Sequence, residues 1–286
     1  MDAEFWIIQV FNGISYGALL FLLAGGLSLI FGVMRIVNLA HGSYFLLGGY
    51  VALTVIWTTG SWVLAIPVAA LTIAVVGLLM ERVFLRPLGF DPLRQVLLTV
   101  GFAFLFQQGA LDIWGGDNLI ITPPAVLEES AVIRGIYFPL YRVFMIGVAV
   151  AIGGTIWLTM EKTRMGAMVR AAVDDSEMAR GVGVDTSRVS MFIFALGAFL
   201  AALGGVIGGA FLGVYPGLDF EILPIAFAVV IIGGMGSLGG AAIGSLLVGL
   251  SDNFGKALFP EVSYFTLYAP MVLILALKPT GLFGRE

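Results

Sequence analysis

Seven stretches of the chain contain no Asp, Glu, Lys or Arg: residues 5–34, 36–80, 95–111, 143–160, 189–218, 222–251 and 262–277. Apolar residues run through them without the alternation of period two that marks a barrel strand. In lipid every backbone amide needs a partner inside the protein, so these runs predict helices. A helix crosses the hydrocarbon core with about 20 apolar residues. The 45-residue run 36–80 therefore folds back, and TTGSW at 58–62 supplies the turn. GGMGSLGG (233–240) interrupts the run 222–251 and predicts two short crossings or a re-entrant hairpin there. The expectation is an all-α polytopic membrane bundle of about eight or nine segments, broken or re-entrant helices included.

Composition narrows this to a protein whose main solvent is lipid. Apolar residues make up 60% of the chain, charged residues 11%, and the mean hydropathy is +1.06. With no cysteine and a single histidine, disulfide frameworks and thiolate metal sites are excluded. A net charge of −4 without any basic stripe argues against a nucleic-acid partner. MDAEFW lacks the basic start of a signal peptide, so the first run reads as an uncleaved helix. No linker or low-complexity stretch divides residues 1–286, which read as one transmembrane domain.

Basic residues in short loops stay cytoplasmic. Arg82, Arg86 and Arg94 flank one loop; Lys162, Arg164, Arg170, Arg180 and Arg188 populate another. Residues 111–136 hold Asp112, Asp117, Glu128 and Glu129 against Arg134 alone. Segments 81–94 and 161–188 are thus expected inside and 111–136 outside. Counting from them places the N-terminus, with Asp2 and Glu4, outside, and the C-terminus, with Lys278 and Arg285, in the cytoplasm.

Two Gly-Ser breaks echo each other, HGSYFLLGGYVAL (41–53) and MGSLGGAAIGSLLVGL (235–250). Paired interruptions of this kind mark broken helices beside a transport path, or they are two glycine-rich helices alike in composition. The path reading selects Asn38, His41, Gly42, Ser43, Gly234, Gly236 and Ser237 as candidates. Glycines four apart, at 204, 208 and 205, 209, 213, and again at 236, 240, 244, read first as packing surfaces.

Chemistry is sparse. Asp112, Asp219, Glu221, Asp252 and Glu261 all fall near the ends of apolar runs, so no ionisable group is expected at membrane depth to carry a coupling ion. Paired carboxylates, a nucleophile with its base, and the phosphate loop GxxxxGK[ST] are all missing from the sequence. The energy source is expected elsewhere.

Charge concentrates in residues 161–190, where five acidic and five basic side chains offset one another. The balance weakens any attraction to anionic lipid. Thr163 is expected to cap a first short helix over RMGAMVRAAV, and Asp174 with Glu177 resembles the capping box of a second. Gly181 and Gly183 end it, and Asp185, Thr186 or Ser187 caps the next membrane helix. Val169, Ala172, Val173, Met178 and Ala179 make this loop a candidate protein-docking surface.

RAAVDDSEMARGVGVDTSRV (170–189) resembles the coupling loop of importer-type ABC permeases. VNLAHGSYFLLGGYVA (37–52) and VVIIGGMGSLGGAAIG (229–244) resemble the branched-chain amino acid permease family. The resemblance implies a bundle like that of the vitamin B12 importers, in a bacterial or archaeal cytoplasmic membrane. It implies a second related permease, two ATP-binding subunits that hold ATP and Mg, and an extracytoplasmic substrate-binding protein; lipid surrounds the chain, which holds no cofactor and catalyses no reaction. On this reading Arg170, Ala172, Asp174, Asp175, Glu177, Met178, Arg180, Gly181 and Gly183 contact the ATPase. Relatives of this type also carry urea and short amides, and a passive small-solute channel is a further alternative.

Overall fold

The computed structural model describes residues 3–89, 91–133 and 135–284. Asp2, Arg134 and Arg285, used in the sidedness count, lie outside the described residues. The first run forms α1 (Ala3–Met34). The second folds back where expected, as α2 (His41–Thr59), a turn at Gly60 with φ of 70°, and α3 (Trp62–Leu79), whose first turn is capped by Ser61 accepting from Leu64 N at 3.2 Å. α3 continues through a π-helical turn, Met80–Leu85, and a 3-10 turn, Arg86–Leu88. Next come α4 (Pro92–Trp114), the short α5 (Ala125–Glu128), and a hairpin of β1 (Ser130–Ile133) and β2 (Ile136–Pro139). α6 (Leu140–Lys162), α7 (Arg164–Asp174), α8 (Ser176–Gly181) and α9 (Thr186–Gly208) follow. The chain ends in α10 (Leu218–Gly233), α11 (Leu238–Leu258) and α12 (Ser263–Leu277).

Six described helices are long and apolar enough to cross a membrane: α1, α3 with its extension, α4, α6, α9 and α12 with the short turn before it. α10 and α11 form a pair bent by 120°, which brings the number to seven if the pair is one span. The expected eight or nine segments included broken or re-entrant ones, and here the apolar run 36–59 builds the short, buried α2 and the run 222–251 builds the bent pair.

α1 and α9 form the buried centre, flanked by α2, α3, α10 and α11, while α4, α6 and α12 expose apolar side chains such as Leu97, Leu105, Val150, Trp157 and Leu273. In lipid such exposure costs nothing, and helices associate instead by close packing of small residues. The glycine rows do this: Gly249 of α11 lies against Gly13 and Gly17 of α1, Gly26 of α1 against Gly197 of α9, and Gly205 of α9 against the Phe45 carbonyl of α2. Gly213, which the spacing joins to the α9 row, lies beyond the helix.

The bundle has two distinct ends. At one, Trp6 meets Phe254, Phe11 meets Phe138, and Trp114 Nε1 donates to Thr54 Oγ1 at 2.8 Å. At the other, Arg86 Nη2 donates to the Ser187 carbonyl at 2.8 Å, and Leu282 N and Phe283 N donate to the carbonyls of Ile232 and Gly233 at 2.9 and 3.0 Å. The basic loops at 82–94 and 162–188 share this second end with the last described residues.

Candidate functional site

The centre of the bundle is set by two helices that start inside it. After α1 the chain reverses at Arg35, a non-glycine residue held at φ of 54°. The extended residues that follow climb back beside α1 until His41 Nε2 reaches the Leu23 carbonyl at 3.0 Å. Asn38 Oδ1 accepts from Ala40 N at 3.1 Å, and Thr99 Oγ1 of α4 accepts from Leu39 N at 3.2 Å. α10 begins at the same level, because residues 209–217 dip inward: Val214 pairs with Leu119 and packs on Gly49. Gly42 abuts the Asp219 carbonyl, and Ser43 Oγ donates to Asp219 Oδ2 at 2.8 Å.

Asp219, expected near the end of a crossing, is 2% exposed. Its place at the edge of an apolar run suggested a membrane surface; a helix that starts mid-bundle puts the same edge in the interior. Glu81 and Asp252 are buried too, each with a basic residue on its own helix. Asp252 Oδ2 bonds Lys256 Nζ at 2.7 Å, and Arg86 Nε stands 3.5 Å from Glu81 Oε1. The carboxylate of Asp219 sits in the first turn of α10 and complements that helix end. The half-helix end there is already occupied by the protein's own anion.

Beside this junction lies a cavity of about 540 Å³ between α4, α10 and α12, lined by Leu39, Phe220, Leu223, Pro224, Phe227 and Tyr268 among others. The lining is apolar apart from Tyr268. None of the seven path candidates lines it. Asn38, His41 and Ser43 are buried one layer behind Leu39, where they hold the broken chain. Gly42 is a packing contact. Gly234, Gly236 and Ser237 lie at the far end of the bundle: Gly236, at φ of 84°, meets Gly32, Ser28 Oγ donates to the Ser237 carbonyl at 3.2 Å, and Gly234 touches Gly284. Ser237 caps α11 by accepting from Gly240 N at 3.0 Å. The two Gly-Ser breaks thus do not meet, since α10 separates them.

The charged loop forms a separate face. Thr163 caps α7, accepting from Gly166 N at 3.1 Å, and Arg170 donates to the Met160 carbonyl. The cap of α8 is Asp175, whose Oδ1 accepts from Glu177 N and Met178 N, both at 2.9 Å. Asp174 instead ends α7, so the cap moves one residue along and the expected box does not form, because the third position after Asp175 is Met178. Gly183 stops α8 at φ of 90°, and Asp185 caps α9, accepting from Arg188 N at 3.1 Å. Val169, Ala172 and Ala179, all expected on the docking surface, are turned inward to anchor the loop. Arg170, Asp174, Asp175, Glu177, Met178, Arg180, Gly181 and Gly183 are exposed.

Under this loop lies a second cavity of about 220 Å³, lined by Glu81, Arg86, Gln95, Ala172, Ser176 and Arg180 among others. At the start of α10 Tyr215 donates to Glu221 Oε2 at 2.7 Å. Sequence reasoning missed Leu39, Glu81, Gln95, Thr99 and Asp219. One signal was available, the i,i+5 pair Glu81–Arg86 at the edge of an apolar run.

Residues 9–275 match the family described as branched-chain amino acid transport system, permease component. The chain is 30% identical to the high-affinity branched-chain amino acid transport system permease protein LivH of Escherichia coli K12, over 98% of this chain and 96% of the relative. It is 27% identical to the permease protein BraD of Pseudomonas aeruginosa over the same shares. The permease protein LivM of E. coli K12 is 27% identical over 90% of this chain and 66% of its own length. No solved structure matches the chain.

Proposed function

Because the chain belongs to the family of branched-chain amino acid transport system permease components, we propose that it forms, with a second related permease, the membrane path of an ATP-driven importer for branched-chain amino acids. Similarity to both LivH and LivM, two permease proteins of one named system, supports a paired permease. Two ATP-binding subunits, holding ATP and Mg, dock on α7–α8, and a binding protein delivers substrate to the opposite end. The observation that carries this reading is the pair of short helices, each with its own side-chain cap, standing exposed at the one end where the basic loops gather. That end is cytoplasmic by the distribution of Lys and Arg. Leu282 and Phe283, near the end of the described chain, lie there, and the start of α1 lies outside.

The cavity at Leu39 and Phe220 is the substrate's way through, and the second permease closes it. Its volume falls in the usual range for small-molecule sites, about 300–1,000 Å³. An apolar lining suits an aliphatic side chain and offers little to a urea or short amide, which needs hydrogen-bonding partners. Selectivity for the zwitterionic end rests on the binding protein.

The test is uptake into vesicles holding both permeases and both ATP-binding subunits. Loaded binding protein outside is expected to stimulate hydrolysis inside, by the reciprocity of coupled sites. An ionophore that collapses proton and sodium gradients leaves uptake unchanged. Uptake that persists without the ATP-binding subunits, or stops with the ionophore at constant ATP, overturns the reading.

A further inference from the structure

The cavity under the charged loop contains a carboxylate with one oxygen unmatched. Glu81 is 2% exposed, its Oε1 faces Arg86 at 3.5 Å, and its Oε2 has no hydrogen-bond partner among the described residues. A buried carboxylate in that state is costly, and a second donor relieves it. Arg180 of α8 lines the same 220 Å³ space. Glu81 also stands in the π-helical turn Met80–Leu85, a geometry rare enough to mark hinges and functional positions.

What Glu81 is joined to gives the cavity its meaning. The hinge at 80–89 leads into α4, where Gln95 lines the cavity and donates through Nε2 to the Gly89 carbonyl at 2.5 Å. One turn further along α4, Thr99 accepts from Leu39 N, and Leu39 lines the central cavity. Arg86 holds the hinge to the start of α9 through the Ser187 carbonyl. A continuous set of contacts thus runs from the loop to the middle of the bundle.

We propose that Glu81 receives the movement of the docking loop: when α8 is pressed toward the bundle, Arg180 closes onto the Glu81 carboxylate, and the 80–89 hinge carries the displacement along α4 to Leu39. Glu81 is a positioning residue and touches no substrate. The inference rests on α7–α8 being the ATPase dock. It adds the element that both the nucleotide state and the path bias, which a coupling claim requires.

The experiment uses the full reconstituted complex with loaded binding protein. Glu81→Gln is expected to leave assembly and basal hydrolysis intact, while stimulation of hydrolysis and uptake both fall about tenfold, inside the usual 5–150-fold range of site coupling. Arg180→Glu alone is expected to lower uptake about as far, and combining it with Glu81→Arg restores uptake. Since the chain lacks cysteine, the pair Glu81→Cys with Arg180→Cys reports closure without background, and its crosslink yield is expected to change with nucleotide state. That measurement also serves if Glu81→Gln fails to assemble. Unchanged stimulation in Glu81→Gln, no rescue by the charge swap, or a yield indifferent to nucleotide overturns the inference. Absence of stimulation in the unmodified complex overturns the docking reading itself.

Discussion

Ser43 and Asp219, 176 positions apart in sequence, join the first turns of two helices that both start inside the bundle, with Ser43 Oγ donating to Asp219 Oδ2 at 2.8 Å. Asp219 Oδ1 has no hydrogen-bond partner among the described residues. Ser43→Ala therefore removes a hydrogen bond from a carboxylate that cannot be resolvated, a loss of about 1–3 kcal/mol. Thermal unfolding in detergent is expected to show a lower midpoint for Ser43→Ala, with Asp219→Asn, which keeps an acceptor for the serine, nearer to the unmodified protein. Equal midpoints for all three would mean that the pair does not hold α2 to α10.

Gly249→Leu is expected to be among the most damaging single changes. A side chain there meets the backbone of Gly13 and Gly17, which cannot yield as a flexible side chain would. Overpacking costs about 1–3 kcal/mol in ordinary cores and more against backbone. Gly101→Leu, on α4 where a Cβ meets nothing within 4 Å, is the control. Yield of monodisperse protein in detergent separates them.

Met178→Cys is expected to crosslink to the ATP-binding subunit, whereas Ala172→Cys is not. Met178 is 66% exposed and Ala172 only 5%. Equal crosslinking at both sites would show that the loop turns over when it docks.

Sidedness is testable with single cysteines and a membrane-impermeant thiol reagent. Thr59→Cys and Asp117→Cys are expected to label in intact cells. Glu177→Cys and Thr280→Cys are expected to label only after the membrane is opened. The reverse pattern would invert the assignment made from Lys and Arg.

Much of the fold was legible because long apolar runs, glycine turns and short-range caps are local signals. The turn at Gly60, the Thr163 and Asp185 caps and the stop at Gly183 follow from residues within a few positions of each other. The start of α8 was misread by one residue because Asp174 and Asp175 both precede acceptable first turns. Extended backbone at Asp175 settles which one caps. The site was less legible than the fold, since depth within a bundle is a property of neighbours. Nothing near Asp219 in sequence reveals that residues 209–217 dip inward, and nothing near Glu81 reveals the Arg180 beside the same cavity. Asn38 and His41 stand at the break itself, where Asn38 Oδ1 and His41 Nε2 bond to backbone.

The glycine contacts between α1, α9 and α11 bear on motion as well as packing. Where two helices meet through interlocked side chains, sliding one past the other requires each to leave a well and find another. Gly249 on Gly13 and Gly17, and Gly26 on Gly197, bring backbone against backbone, with the side chains of Leu250 and Ile30 seated on Gly13 and Gly197. Small shear of packed helices is one of the ordinary routes by which proteins switch. The central helices of this bundle are thus held close sideways, and a shear between any two of them has to carry the side chains seated on those glycines along with it.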